Sequence, residues 1–422
     1  MKIESKAIHS GFKQDPATNA VAVPIYQTTA YAFDSTQHGA DLFDLKQLGN
    51  IYTRIMNPTS DVLEQRLADM EGGVAGLALA SGQAATTYAI QTIAEAGDNI
   101  VSMSTLYGGT YNLFAHTLPQ MGITTRFANP DDLDTLGPLI DDKTKAVFCE
   151  SIGNPAGNVL DLEKIAEIAH AHGVPVIVDN TVASPYLCRP IEWGCDIVIH
   201  SLTKYIGGHG TIIGGIIIDS NNFDWVANKD RFKRLNEPDV SYHGVVYTET
   251  GLPPYILRAR VVPLRNMGAA IAPMNSFLAL QGLETLALRM DRICDNALAV
   301  ANHLEGHSKV EWVRYAGMAN SPHKALLDKY MGGRGSGILS FGIKGGAEAG
   351  GKFIDALEMV KRLVNIGDAK SLACHPASTT HRQLSSEELA SSGVSPDLVR
   401  LSIGIEHIDD ILEDIDQALA TA

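Results

Sequence analysis

Residues 174–210 read VPVIVDNTVASPYLCRPIEWGCDIVIHSLTKYIGGHG. Two short apolar runs, VPVIV and DIVI, are each cut off by polar residues. Asp179 closes the first, and Ser201, Thr203 and Lys204 follow the second with glycines behind them. Runs this short, rich in β-branched residues and bounded by turn formers, read as strands buried on both faces. The 17 residues between them are enough for a crossover that keeps the two strands parallel.

The same rhythm extends outward. Upstream, Asp61 is expected to cap a helix with Glu64 three residues on, with Leu63, Leu67 and Met70 on one face and Gly72-Gly73 as its end. VAGLALA (74–80) reads as a buried strand, and Ser81-Gly82-Gln83 turns into a helix carrying Ala85, Ala89 and Ile93. NIVSM (99–103) precedes the loop TLYGGTY (105–111). KAVFCE (145–150) precedes Gly153-Asn154-Pro155, and Asp161 caps LEKIAEIAHAH (162–172). Strands alternating with helices predict an α/β fold, a doubly wound and mostly parallel sheet covered on both faces. Downstream, residues 221–270 are polar and proline-containing and read as an insertion or long loop, with Arg258, Arg260 and Arg265 as surface or inter-subunit charges. A long helical pattern starts near Met274. GILSFGI (337–343) reads as a strand and FIDALEMVKRLV (353–364) as a helix, which implies a smaller C-terminal α/β unit. Residues 1–60 are turn-rich and without periodicity, as expected of an arm that packs on another subunit. The expected division is an arm at 1–60, a large domain at 61–275 and a small domain at 276–422.

In open α/β sheets, ligands bind outside the carboxyl ends of the strands. Ser81-Gly82, Tyr107, Asn154, Asp179 and Ser201-Thr203-Lys204 all fall just after a predicted strand, which places them at one edge. A lysine in a turn is ordinarily a surface charge, but here it has company. An amine and an acid on neighbouring strand ends are what pyridoxal phosphate requires: the amine forms a Schiff base, and the acid holds the ring nitrogen protonated. Ser81-Gly82-Gln83 opens a helix whose free N–H groups suit a phosphate, with hydroxyls of Ser201 and Thr203 alongside. Tyr107 is placed to stack on a flat ring, and Asn154 to hold a ring hydroxyl. Arg400, on the apolar segment LVRLSIGIE, suits a substrate carboxylate.

Several alternatives fail on the residues. The 422-residue chain carries a net charge of −15, which argues against nucleic acid or an anionic membrane as partner. No apolar run approaches the ~20 residues of a membrane helix. The N-terminus MKIESKAIHSGFKQD has no signal-peptide core, so a cytoplasmic protein is expected. Five scattered cysteines with no CxxC pair predict reduced thiols and no metal site. GGRGSG (332–337) precedes a strand instead of following one, so it is not a dinucleotide loop. His303 and His307, near Glu305, lack a further ligand and read as a solvated helix face.

The chain resembles the trans-sulfuration, or Cys/Met-metabolism, family of pyridoxal phosphate enzymes of fold type I, the aspartate-aminotransferase-like fold. The likeness rests on IYTRIMNPT (51–59), ASGQAA (80–85), LYGGTYNLF (106–114), VDNT (178–181), HSLTKYIGGHG (200–210), HPASTTHRQL (375–384) and VRLSIGIE (399–406). It implies pyridoxal 5'-phosphate as cofactor, Lys204 as its anchor and Asp179 as the partner of its ring nitrogen. Tyr107 is then the stacking and catalytic tyrosine, and Arg400 binds the substrate carboxylate. It further implies that Tyr52 and Arg54 reach a neighbour's phosphate, that Tyr52 lies near substrate, and that the assembly is a homotetramer of two dimers with shared sites. Asn365 stands where relatives often have a carboxylate-contacting serine. Within the family, YQTTAYAFD (26–34), VSYHGVVYTET (240–250) and IGDAKSLACHPASTTH (366–381) are most similar to the O-acetylhomoserine sulfhydrylase branch. That branch implies O-acetyl-L-homoserine and sulfide as substrates. Methionine γ-lyase, cystathionine γ-synthase and a succinyl-ester sulfhydrylase are the rivals; Gly109, where many γ-lyases carry cysteine, weighs against the first. A catalytically silent scaffold of the same fold is the non-enzyme alternative.

Overall fold

The computed structural model describes residues 1–379 and 395–422. Seven strands form the large sheet: β1 Ala75–Leu79, β2 Asn99–Met103, β3 Thr124–Ala128, β4 Thr144–Glu150, β5 Val176–Asp179, β6 Ile197–Ser201 and β7 Gly215–Asp219, in the order β1-β7-β6-β5-β4-β2-β3. β7 alone runs antiparallel to its neighbours β1 and β6; the other pairings are parallel. The carboxyl ends of β1, β2, β4, β5 and β6 therefore meet at one edge. Alternate residues feed opposite faces: Val176, Val178 and Val198 enter one apolar cluster, and Ile177, Ile197 and Ile199 the other. That two-faced burial is why the strands read as unbroken apolar runs.

Among the described residues five strands form the second sheet: β8 Val310–Arg314, β9 Ile338–Ile343, β10 Lys361–Arg362, β11 Leu372–Cys374 and β12 Leu398–Ser402, in the order β10-β11-β12-β9-β8. Only β10 and β11 pair in parallel; β12 lies antiparallel to both β11 and β9. The helix Ile408–Thr421 buries Ile411, Ile415, Ala418 and Leu419 in the cluster beneath it. The helix Leu286–Glu305 joins the two units: Met290 and Ile293 sit in a large-sheet cluster, Val300 and Leu304 in the small-sheet cluster.

Several expectations need correction. The first long helix runs Pro58–Glu71 and is capped by Asn57, whose side chain accepts from Thr59 N; Asp61 is inside its first turn. Asn-Pro places the cap and a pre-set φ ahead of the acid. The arm is not wholly irregular, since Ile3–His9 and Thr36–Phe43 are helical. Residues 221–270 are not a loose insertion. Trp225, Phe232, Tyr247 and Tyr255 are buried, and Trp225 stacks on Tyr255 at 5.6 Å and 11°. Arg258 and Arg260 are not surface charges: Arg258 is buried and donates to Thr92 O at 2.7 Å, and Arg260 pairs with Glu64 at 2.6 Å. The helix expected over 353–364 stops at Ala356. Beyond it the Asp414 carboxylate accepts the N–H groups of Glu358, Met359 and Val360 at 2.8–3.0 Å, turning the chain into β10. His303 pairs with Asp416 at 2.6 Å instead of facing only solvent.

Candidate active site

One cavity of about 230 Å³ opens at the shared strand edge. Every residue expected at the site except Tyr52 and Arg54 lines it: Ser81, Gly82, Gln83, Tyr107, Asn154, Asp179, Ser201, Thr203, Lys204, Asn365 and Arg400. Tyr52 and Arg54 lie elsewhere, both exposed, with the guanidinium 5.2 Å from the tyrosine ring centre. Of the HPASTTHRQL motif, Thr380–Leu384 fall outside the described residues.

The phosphate-type corner is built from a helix start pressed against a strand end. Ser81 Oγ accepts from Ala84 N at 3.1 Å and caps the helix Gly82–Gln91. The cap leaves first-turn N–H groups facing the cavity. A Cβ on Gly82 would come 2.7 Å from Ser201 Cβ, so only glycine allows this approach. Gln83 Nε2 donates to Thr110 Oγ1 at 3.1 Å, tying this corner to the helix that follows Tyr107. Thr203 Oγ1 accepts from Gly214 N at 3.1 Å, so its hydroxyl is partly engaged with the backbone.

Asp179, at the end of β5, accepts from Thr181 N at 2.9 Å. Burial raises its pKa, while the Thr181 hydrogen bonds, His200 and Lys204 pull the other way. Behind it, His200 Nε2 and Glu71 Oε1 are 2.6 Å apart and fully enclosed, and Asn180 Nδ2 donates to the same oxygen at 2.9 Å. Lys204 Nζ donates to Asn365 Oδ1 at 2.6 Å. Burial, reinforced by the Arg400 charge and opposed by Asp179, brings this amine down to about 8. Such an amine is a competent base near neutral pH.

Arg400 stands on β12, so the small sheet supplies the far wall. Its Nη1 donates to Asn154 Oδ1 at 3.3 Å and its Nη2 to the Asn365 carbonyl at 3.1 Å. Among the described residues no carboxylate lies within ion-pair distance, and its Nε has no hydrogen-bond partner. A buried guanidinium that is held but not neutralised is costly unless an anion completes it.

Sequence reasoning missed Glu150, Thr181 and the apolar lining of Ile152, Val182, Ile213, Val364 and Ile366. Glu150 carries the same signal as Asp179, an acid closing an apolar run, and is its direct register partner across β4 and β5. The apolar residues come from separate loops and bear no chemical signature. The donor set fits pyridoxal phosphate on its own terms. An amine of lowered pKa, a buried acid, an exposed tyrosine and a glycine-opened helix start converge on a single cavity.

Comparison with known proteins agrees. The family model described as "Cys/Met metabolism PLP-dependent enzyme" matches residues 4–420. The chain is 53% identical over 421 residues to the homocysteine synthase of Schizosaccharomyces pombe, covering 99% of this chain and 98% of that one. It is 51% identical over 428 residues to an O-acetyl-L-homoserine sulfhydrylase of Leptospira meyeri, covering 99% and 96%. A crystal structure from Campylobacter jejuni, named as an O-acetylhomoserine (thiol)-lyase, superposes with a TM-score of 0.97 at 44% identity over the whole of both chains. It holds N'-pyridoxyl-lysine-5'-monophosphate at its own position 205. The chain belongs to the Cys/Met metabolism family of pyridoxal-phosphate-dependent enzymes, and pyridoxal 5'-phosphate is its cofactor.

Proposed function

We propose that the chain catalyses a γ-replacement, converting O-acetyl-L-homoserine and sulfide to L-homocysteine and acetate. One observation carries the choice of substrate: among the described residues the cations lining the cavity are Lys204 and Arg400, and Ile213, Val364 and Ile366 line it with apolar side chains. Lys204 is committed to the cofactor, which leaves Arg400 for one carboxylate. A succinyl ester or a cysteine co-substrate brings a second carboxylate that finds no cation on these walls. An acetyl group and sulfide need none. The names of the similar proteins, homocysteine synthase and O-acetyl-L-homoserine sulfhydrylase, support the same reaction.

When bound, pyridoxal phosphate supplies an aldehyde carbon that amines attack and a ring that accepts the negative charge left at the substrate's Cα. Lys204, released by the substrate amine, takes the Cα proton and returns a proton at the end. Asp179 keeps the ring nitrogen protonated through a charge-assisted hydrogen bond. Arg400 and Asn365 fix the substrate carboxylate, which aims the Cα–H at Lys204. Tyr107, at the mouth, covers the ring and assists the departure of acetate. Ser81, Gly82, Gln83, Ser201 and Thr203 hold the phosphate, and Asn154 the ring hydroxyl. Tyr52 and Arg54 complete a neighbour's site within a homotetramer, with residues 1–60 as the arm, 61–275 as the cofactor domain and 276–422 as the small domain. Absence of a membrane-crossing helix among the described residues accords with a cytoplasmic enzyme.

The test is a comparison of donors. Homocysteine should form from acetyl-homoserine and sulfide with kcat/KM about 100-fold above succinyl-homoserine, the scale set by one unpaired buried charge. Methanethiol release from methionine as the dominant activity would replace this reading with a γ-lyase.

A further inference from the structure

Two loops must hold still for the cofactor ring to be clamped: the one after β2 carrying Tyr107, and the one after β4 carrying Asn154. They come from different strands, and Tyr107 itself is 44% exposed, so packing alone does not anchor it. Between them lies Glu150, 4% exposed, at the last position of β4. Its Oε1 accepts the Tyr107 N–H at 2.6 Å. The Asn154 backbone N–H also faces this carboxyl and favours its charged form. Among the described residues no lysine, arginine or histidine forms an ion pair with it, in contrast to Glu64 and Glu71.

We propose that Glu150 is a positioning residue that ties the Tyr107 loop to the Asn154 loop through a single buried carboxyl and so sets how the cofactor ring is gripped. It works by accepting the Tyr107 N–H while facing the Asn154 N–H, and needs no charge to do so. Its register partner is Asp179, and two acids on adjacent buried strand ends do not both ionise readily. Asp179 is the one with the Thr181 hydrogen bonds and the charges of His200 and Lys204 in its favour. Glu150 has burial and Asp179 against it, and its pKa is raised well above the ordinary carboxylate value. The pair thus divides its labour: Asp179 bears the negative charge the ring nitrogen requires, and Glu150 stays uncharged and structural to the grip.

This rests on the cavity holding pyridoxal phosphate, which borohydride fixation of the wild-type chromophore on Lys204 checks independently. Glu150→Gln keeps a carbonyl oxygen as acceptor; Glu150→Leu keeps the volume and removes the acceptor. Reconstitution of apoprotein should give a cofactor Kd within about threefold of wild type for E150Q and at least tenfold weaker for E150L. Visible circular dichroism per bound cofactor should match wild type in E150Q and fall in E150L, because ring orientation is what the clamp controls. If E150Q fails as badly as E150L, the anion matters and the inference is wrong. It is equally wrong if E150L lowers only the apoprotein melting temperature and leaves Kd and dichroism alone. Should E150L not fold, infrared difference spectra at pH 8 decide: a protonated-carboxyl band present in wild type and lost in E150Q is expected, and its absence from wild type overturns the proposal.

Discussion

The strand-edge cavity and the N-terminal arm hold functional residues in opposite states. In the cavity each group has a partner within the chain: Lys204 on Asn365, Asp179 on Thr181, Arg400 on Asn154. In the arm, Tyr52 is 40% exposed with the Arg54 guanidinium over its ring, while Val21 and Leu48 stand 84% and 69% exposed. The contrast teaches that chemistry and completion are separable. One chain assembles the groups of its cavity without Tyr52 and Arg54, which the proposed function assigns to a neighbour's site.

The sharpest way to break that contrast is to remove the group on which the cavity depends. Lys204→Ala should abolish borohydride-fixable chromophore altogether and lower kcat by at least about 10³-fold, since both the anchor and the base are lost. Absorbance after reduction and steady-state turnover check this. A fixed chromophore surviving in K204A would move the site elsewhere. The arm makes a different prediction. Arg54→Ala should weaken cofactor binding about tenfold by loss of one charge-assisted phosphate contact. Co-expressed with K204A and assayed at a cofactor concentration too low to load R54A alone, it should regain about a quarter of wild-type activity, because in a random mixture half the pairs are mixed and one of their two sites has both residues. If the mixture stays as inactive as its components, Arg54 serves no neighbouring site.

Legibility followed the same divide. Lys204, Asp179, Tyr107 and Ser81 could be read because a parallel sheet delivers whatever follows each strand to one edge, and strand ends are visible as the close of apolar runs. Glu150 obeyed that rule and was still passed over, since it reads as the end of KAVFCE and not as the start of a loop. Residues 221–270 misled because charges and prolines dominate the composition, while Trp225, Phe232 and Tyr255 do the packing from widely spaced positions. Arg258 looked exposed for the same reason: nothing near it in sequence announces that its acceptor, Thr92 O, lies 166 residues away. The break after Ala356 was hidden because the carboxylate responsible, Asp414, is on the C-terminal helix. Long-range polar contacts leave no local pattern.

The smallest effect isolates how the far wall speaks to the near one. Arg400 sits on the small sheet and Lys204 on the large sheet's edge. The positive charge of Arg400 is the second cause, after burial, of the lysine's low value of about 8, and Asp179 opposes it. The sign follows: below that value the free amine is protonated and cannot attack an aldehyde, and above it the amine is neutral and reactive. Capture of pyridoxal phosphate by apoprotein should therefore accelerate with pH through an inflection near 8. Arg400→Gln removes the neighbouring charge, so the inflection should move upward while remaining below the ordinary lysine value of 10.5, because burial is untouched. The same variant should raise KM for the ester about 100-fold by losing the carboxylate partner, a separate consequence read in steady-state kinetics. Stopped-flow absorbance across pH 6.5 to 10 distinguishes the two. An unmoved inflection in R400Q would mean that the Arg400 charge does not tune Lys204.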